Sequence, residues 1–146
     1  GQFAEHGYEV YIATEWQGED EYEINAKVKR VHVGLTERQA EKGRAAMFLA
    51  RIMNLRKFLK EVKPDVVLTY TVKCSIYGGI ACRLLKVPYI VNITGLGKGL
   101  AEGGIQQKIL VILYKLAIKS AECVFFQNRN DRQFFINHKI HYITTN

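Results

Sequence analysis

The chain has 146 residues, 48% hydrophobic and 24% charged, with 21 Lys+Arg against 14 Asp+Glu for a net +7. That composition excludes a disordered or collagen-like chain, and the length suits one domain burying on the order of two thirds of its unfolded surface. The charge is uneven, because residues 1–23 carry seven acids and no Lys or Arg, leaving +14 for the rest.

In chain order, Phe3-Ala4-Glu5-His6-Gly7 reads as the last turn of a helix. A strand is expected over 8–14 and another over 28–33, each bounded by glycine. Thr36 and Gln39 have capping-box spacing for a helix start near Glu37, with a stronger start at Arg44 after Gly43. In the 44–63 helix, Phe48, Ile52, Leu55, Leu59 and Val62 share one face. Strands follow Pro64 (65–71) and Pro88 (89–93), with another over 123–126. Helices are expected over 75–85, 105–119 and 131–138. Tyr142-Ile143-Thr144-Thr145-Asn146 reads as the start of a further strand. Nearly continuous apolar strands alternating with helices indicate an α/β fold, a Rossmann-like parallel sheet of about five strands with helices on both faces. The pattern is that of a single domain over 1–146, cut at both ends. A doubly wound domain opens on a central strand and its loop, and neither is present before residue 8.

Cys74, Cys82 and Cys123 are odd in number and show no C-x-x-C spacing, so they read as buried free thiols in a reducing compartment rather than a disulfide framework or zinc site. His6, His32, His138 and His141 have no metal-ligand spacing, and none falls at a strand end of the expected cleft. No signal peptide is visible, and the apolar run 109–114 is far shorter than the ~20 residues that span a bilayer. The expected location is cytoplasmic, soluble or peripheral on the inner face of the plasma membrane.

In open parallel sheets ligands bind at the carboxyl ends of the strands. That rule selects Tyr70, Thr71 and Lys73 after the third strand, Asn92, Thr94 and Gly95 after the fourth, and Gln127 and Asn128 after the fifth. Thr71, Ser75 and Asn128 can equally be helix caps. Residues 95–104 hold five glycines in ten positions before a helix, so backbone N–H groups could approach an anion. The stretch is neither G-x-G-x-x-G nor G-x-x-x-x-G-K-S/T, which favours a lid or acceptor-side loop over a nucleotide cradle. There is no G-x-S-x-G elbow and no acid–base pair. The acids of residues 15–23 read as a solvated loop.

Two basic helices remain. Arg56, Lys57 and Lys60 share an outer face with Leu49 and Met53, and Lys108, Lys115 and Lys119 flank the apolar run 109–114. Both patterns suit an interfacial membrane contact, or sheet packing with snorkelling lysines. No nucleic-acid-binding motif is present, so nucleic acid is not expected as a partner.

Lys63-Pro64-Asp65-Val66-Val67-Leu68, Tyr77-Gly78-Gly79-Ile80-Ala81, Val87-Pro88-Tyr89-Ile90, Asn92-Ile93-Thr94-Gly95-Leu96-Gly97 and Val124-Phe125-Phe126-Gln127-Asn128 together resemble the N-terminal domain of family-4-like glycosyltransferases of the GT-B fold. Gly7-Tyr8-Glu9-Val10 matches that family's second strand. Relatives of this kind build capsular and other bacterial surface polysaccharides. The resemblance implies the acceptor-binding half of an enzyme moving a sugar from a nucleotide-sugar donor to a lipid-linked or glycan acceptor. The donor would be held by a C-terminal domain or a split subunit. It implies no metal and no cofactor besides the donor. Thr71, Lys73, Asn92, Thr94 and Gly95 are the expected acceptor side, and Arg56, Lys57 and Lys60 the contact with an anionic membrane surface. Some relatives carry histidine where this chain has Thr94, a poor base near neutral pH, so no catalytic residue is named. The alternative is a non-catalytic, membrane-associated subunit that recruits a separate donor-binding protein. A dinucleotide-dependent Rossmann enzyme is disfavoured by the missing fingerprint.

Overall fold

β-branched and aromatic runs favour the pleated backbone, and apolar side chains at helical spacing bury one face of each helix. A computed structural model of the chain describes residues 2–15, 27–97 and 103–144. Glu19, Asp20, Glu21 and Glu23 of the acidic loop, and 98–102 of the glycine-rich stretch, lie outside the described residues. The chain forms two units, residues 1–54 and 55–146.

In the first unit, α1 (Gln2–Glu5) precedes β1 (Val10–Thr14), which pairs in parallel with β2 (Val28–His32), Val10 opposite Val28 and Thr14 opposite His32. The capping box forms as its spacing dictates. Thr36 Oγ1 accepts from the Gln39 amide and Gln39 Oε1 from the Thr36 amide, opening the short α2 (Glu37–Ala40). Gly43 then separates α2 from α3 (Arg44–Val62), within which the division between the units falls. Asn54 Nδ2 donates to the Gly34 carbonyl at 2.9 Å and to Gln39 Oε1 at 3.1 Å. Among the described apolar residues of this unit, Ala4, Val33 and Ile52 are buried.

The second unit alternates β3 (Val67–Tyr70), α4 (Val72–Leu85), β4 (Tyr89–Ile93), α5 (Gly104–Ile118), β5 (Cys123–Phe126) and α6 (Arg129–Asn137). Its strands form one parallel sheet in the order β3-β4-β5. Tyr89, Val91 and Ile93 of β4 are sealed with Ile76, Ala81 and Cys82 of α4 and Tyr114, Ala117 and Ile118 of α5. Two neighbouring glycines make this packing possible. A Cβ on Gly78 would meet Thr69 Cγ2 of β3 at 3.0 Å, and one on Gly79 would fall 2.5 Å from the Ala117 carbonyl oxygen of α5. Only a residue without a side chain lets the two helix backbones come this close. The Tyr89 hydroxyl donates to the same carbonyl, and burial pushes that phenol up to about 12.

Parallel sheets flanked by helices are what the sequence pattern requires, but the five strands form two sheets rather than one. Residues 142–144 are not a strand. Among the described residues they make one ladder-like bond, the Val124 amide donating to the Ile143 carbonyl at 2.8 Å, while Tyr142 packs edge-on against Phe126 and Phe135. Of the three thiols, Cys82 and Cys123 are buried and burial pushes Cys82 up to about 12, whereas Cys74 is exposed and corrects the expectation of three buried thiols.

Candidate functional site

Parallel register sets Tyr70, Asn92 and Phe125 side by side at the carboxyl end of the second unit's sheet. The chain leaves β3 through Thr71, at φ 68° and ψ 162°. A positive φ is an outlier for a β-branched residue and costs on the order of 1–3 kcal/mol, a strain that recurs where backbone is held for function. Thr71 stands at the N-cap of α4, yet its hydroxyl makes no cap bond and its side chain is exposed. Its carbonyl accepts from the Ser75 amide at 3.0 Å.

Lys73 lies exposed in the first turn of α4, which contains no acid. The unpaired N–H groups of that turn, the helix dipole and the ammonium all favour an anion. Ser75 is not a cap. It is fully buried, its Oγ 3.3 Å from Thr69 Oγ1. Asn128 is one, since its Oδ1 accepts from the Asp131 amide at 2.9 Å and its Nδ2 donates to Asp131 Oδ2 at 2.7 Å.

Asn92, Thr94 and Gly95 are half-buried as the chain leaves β4. Gly95 at φ 144° and Gly97 at φ 69° turn the backbone through conformations that favour glycine. A Cβ on Gly97 would lie 3.7 Å from Val72 Cγ2, so this loop runs against the first residue of α4. The turn after β4 thus approaches the start of α4 at Val72, the residue between Thr71 and Lys73. Phe125, 45% exposed beside Asn92, was not among the residues selected from sequence, because strand register is invisible until the sheet is formed.

Other polar groups lie elsewhere. In the first unit His32 ends β2 opposite Thr14, a strand-end histidine the sequence reading passed over. A Cβ on Gly34 would fall 2.6 Å from its Cε1, so glycine leaves room for the imidazole. Nearby in sequence to Thr14, Glu15 Oε1 accepts from Arg51 Nε at 2.7 Å. His6 Nδ1 lies 2.7 Å from the Gln2 carbonyl, and His138 Nδ1 lies 2.8 Å from the Phe134 carbonyl with its ring stacked on Phe134. A shallow depression lined by Gln2, Phe3, His6 and Tyr8 contains none of the strand-end groups. No group of three or more His, Cys, Asp or Glu that could hold a metal ion occurs among the described residues.

On α3, Arg56 is half-buried while Lys57, Lys60, Leu49 and Met53 are exposed. On α5, Lys108, Lys115 and Lys119 (the last at its C-cap) are all exposed. No helix among the described residues is long and apolar enough to cross a membrane.

No curated protein matches the chain. The model of glycosyl transferase 4-like domains matches residues 1–128, from α1 to the Asn128 cap, and takes in every strand and all five expected acceptor-side positions. With that match over most of its length, the chain belongs to the glycosyl transferase 4-like family.

Proposed function

We propose that this chain is the acceptor-binding half of a glycosyltransferase that moves a sugar from a nucleotide-sugar donor to a lipid-linked or glycan acceptor. The observation that carries the reading is the approach of Gly97, in the turn after β4, to Val72, which stands between Thr71 and Lys73 at the carboxyl edge of β3 and β4, in a chain of this family. In the transfer, an acceptor hydroxyl oxygen bonds to the anomeric carbon of the donor sugar as the bond from that carbon to a diphosphate oxygen breaks; the nucleoside diphosphate leaves with the electron pair and the hydroxyl proton is released to solvent. The chain's part is to hold the acceptor. Lys73 and the positive end of α4 take a phosphate of the acceptor, and Gly95 lets the backbone approach it. Asn92 and Thr94 offer hydrogen bonds to sugar hydroxyls. Tyr70 and Phe125 present half-exposed rings beside Asn92, which suits a sugar, apolar on its C–H face and polar at its rim. No metal is assigned a role. The donor is held by a separate domain or subunit, and the lipid of the acceptor draws the chain to an anionic membrane surface with Arg56, Lys57 and Lys60 facing it.

The test is turnover with a panel of nucleotide sugars and lipid-diphosphate acceptors, by the chain alone and with a donor-binding half added. Alone, the chain forfeits the orientation of two bound reactants, about 7–11 kcal/mol of barrier and roughly five to eight powers of ten in rate. Activity should appear on mixing and fall about tenfold in kcat/KM on Lys73→Ala, from loss of a charge-assisted bond. Turnover by the isolated chain, or full activity of the variant, overturns the assignment.

A further inference from the structure

The second unit's sheet has one closed face and one open rim. Successive side chains along a strand point to opposite faces, and register partners share a face. Thr69, Tyr89, Val91, Ile93 and Val124 lie on the closed face and are buried. On the other face the residues read in rows across the strands. The row Leu68, Ile90 and Cys123 passes from exposed through half-buried to buried. The row nearer the carboxyl end does not close. In it Tyr70 is 51% exposed, Asn92 half-buried and Phe125 45% exposed. Parallel sheets are as a rule covered on both faces, so an open row with two aromatic rings calls for an occupant.

The row specifies the chemistry of that occupant. None of its three side chains is ionised at neutral pH, and an amide that both donates and accepts stands between two rings. A sugar matches each part. Its C–H face lies flat on an aromatic ring, and its neighbouring hydroxyls pair with a carboxamide. An apolar protein face laid here would strip the Asn92 amide of water and offer it no partner. Adjacent strands are about 4.8 Å apart, which roots the two rings roughly 10 Å apart with Asn92 midway. A pyranose unit is close to one strand spacing in length, so a glycan laid across the strands sets one sugar on each.

We propose that Tyr70, Asn92 and Phe125 form a platform for three consecutive sugars, so that the acceptor is an oligosaccharide and not a single sugar on its carrier. The inference rests on the acceptor reading above and deepens it by naming the length of glycan recognised. Lys73, in the first turn of α4, takes the phosphate in that reading and follows the β3 end of the row. The carrier end of the glycan is thereby set at Tyr70 and the growing end at Phe125.

The test is binding of the chain to cello-, malto- and chito-oligosaccharides of one to four sugars, read by calorimetry and ligand-observed NMR. In at least one series affinity should rise about tenfold or more from one sugar to three, and change less than about twofold on adding a fourth. Tyr70→Ala and Phe125→Ala should each weaken trisaccharide binding about tenfold. Asn92→Ala should weaken it about fivefold, from loss of a hydrogen bond. Circular dichroism melts identify any variant that fails to fold. Tyr70→Leu and Phe125→Leu keep an apolar side chain without the ring, and should each cost about threefold or more. Affinity independent of length in all three series overturns the platform, as do leucine variants that bind the trisaccharide like the parent chain. A dimer in solution that dissociates on Phe125→Leu also overturns it. Transfer after mixing that is as efficient to a lipid diphosphate bearing one sugar as to one bearing three refutes the platform and leaves the acceptor reading standing. Length-dependent binding with no transfer on mixing does the reverse.

Discussion

The two units are built from the same elements, parallel strands and helices, yet they hold those elements by different means. In the first unit β1 and β2 are tied across their outer surface, where Lys29 Nζ donates to Glu9 Oε1, Tyr11 donates to the same carboxylate at 2.8 Å, and the Lys29 ammonium stands over the Tyr11 ring. In the second, β4 is enclosed by two helices, and Tyr114, Phe126, Phe135 and Tyr142 form a chain of edge-on rings. Exposed ion pairs contribute little, a median near 0–1 kcal/mol, whereas a fully buried large side chain contributes about 1.5–3 kcal/mol. Fold class is therefore a poor guide to where stability resides. Burial within each unit decides it.

Hydrogen exchange would break this comparison most directly. The β4 amides of Ile90 to Ile93 should be at least about a hundredfold more protected than the β1 amides of Tyr11 to Ala13. Equal protection would mean that the surface pairs matter as much as the core. The same substitution placed in each unit sharpens the contrast. Ile93→Ala, at a residue 1% exposed, should cost about 2–5 kcal/mol, and Ile12→Ala, at one 40% exposed, less than about 1 kcal/mol, both read by denaturant melts. Gly79→Ala should cost about 1–3 kcal/mol by forcing α4 away from the Ala117 carbonyl.

A smaller effect has the opposite sign. The Tyr114 hydroxyl is buried with no hydrogen-bond partner among the described residues, and burial raises its pKa, with the Asp131 charge adding to the rise. Tyr114→Phe should therefore stabilise the chain by about 1 kcal/mol. A loss of stability would show that the hydroxyl is satisfied.

The smallest effect is the pH dependence of the first unit. Its bond to Lys29 holds Glu9 below the ordinary 4.5, so this contribution is present above 4.5 and lost as pH falls through the lowered value. Its bond to Glu9 raises Lys29 above 10.5, so that contribution is complete below 10.5 and lost as pH rises through the raised value. β1 amide protection should be flat between these limits and fall outside them, by less than Gly79→Ala changes the second unit.

Local signals were legible in the sequence wherever they acted locally. Pro64 and Pro88 announce β3 and β4, the bounds 89–93 and 123–126 match the strands observed, and Thr36 and Gln39 close their box. β3 ends earlier than its composition suggests because Thr71 is left-handed, a constraint that no propensity contains. α4 begins at Val72 rather than 75, and with no side-chain cap at Thr71 no local signal marks that start. The site was half legible. The strand-end rule selects Thr71, Lys73, Asn92, Thr94 and Gly95 as candidates, but Phe125 joins Asn92 only through pairing between distant segments. Likewise the lysines beside 109–114 are plain in the sequence, while the outward side of α5 follows from the burial of Tyr114.

The edges of the three-stranded sheet differ in a way that matters when the chain is concentrated. Beyond β5 the Val124 amide is engaged by the Ile143 carbonyl, so foreign backbone finds that margin occupied. Among the described residues β3 pairs with β4 alone, and Leu68 and Tyr70 stand 39% and 51% exposed along it. Unpaired strand margins template association between molecules. Among the described residues β3 is therefore the margin open to such pairing.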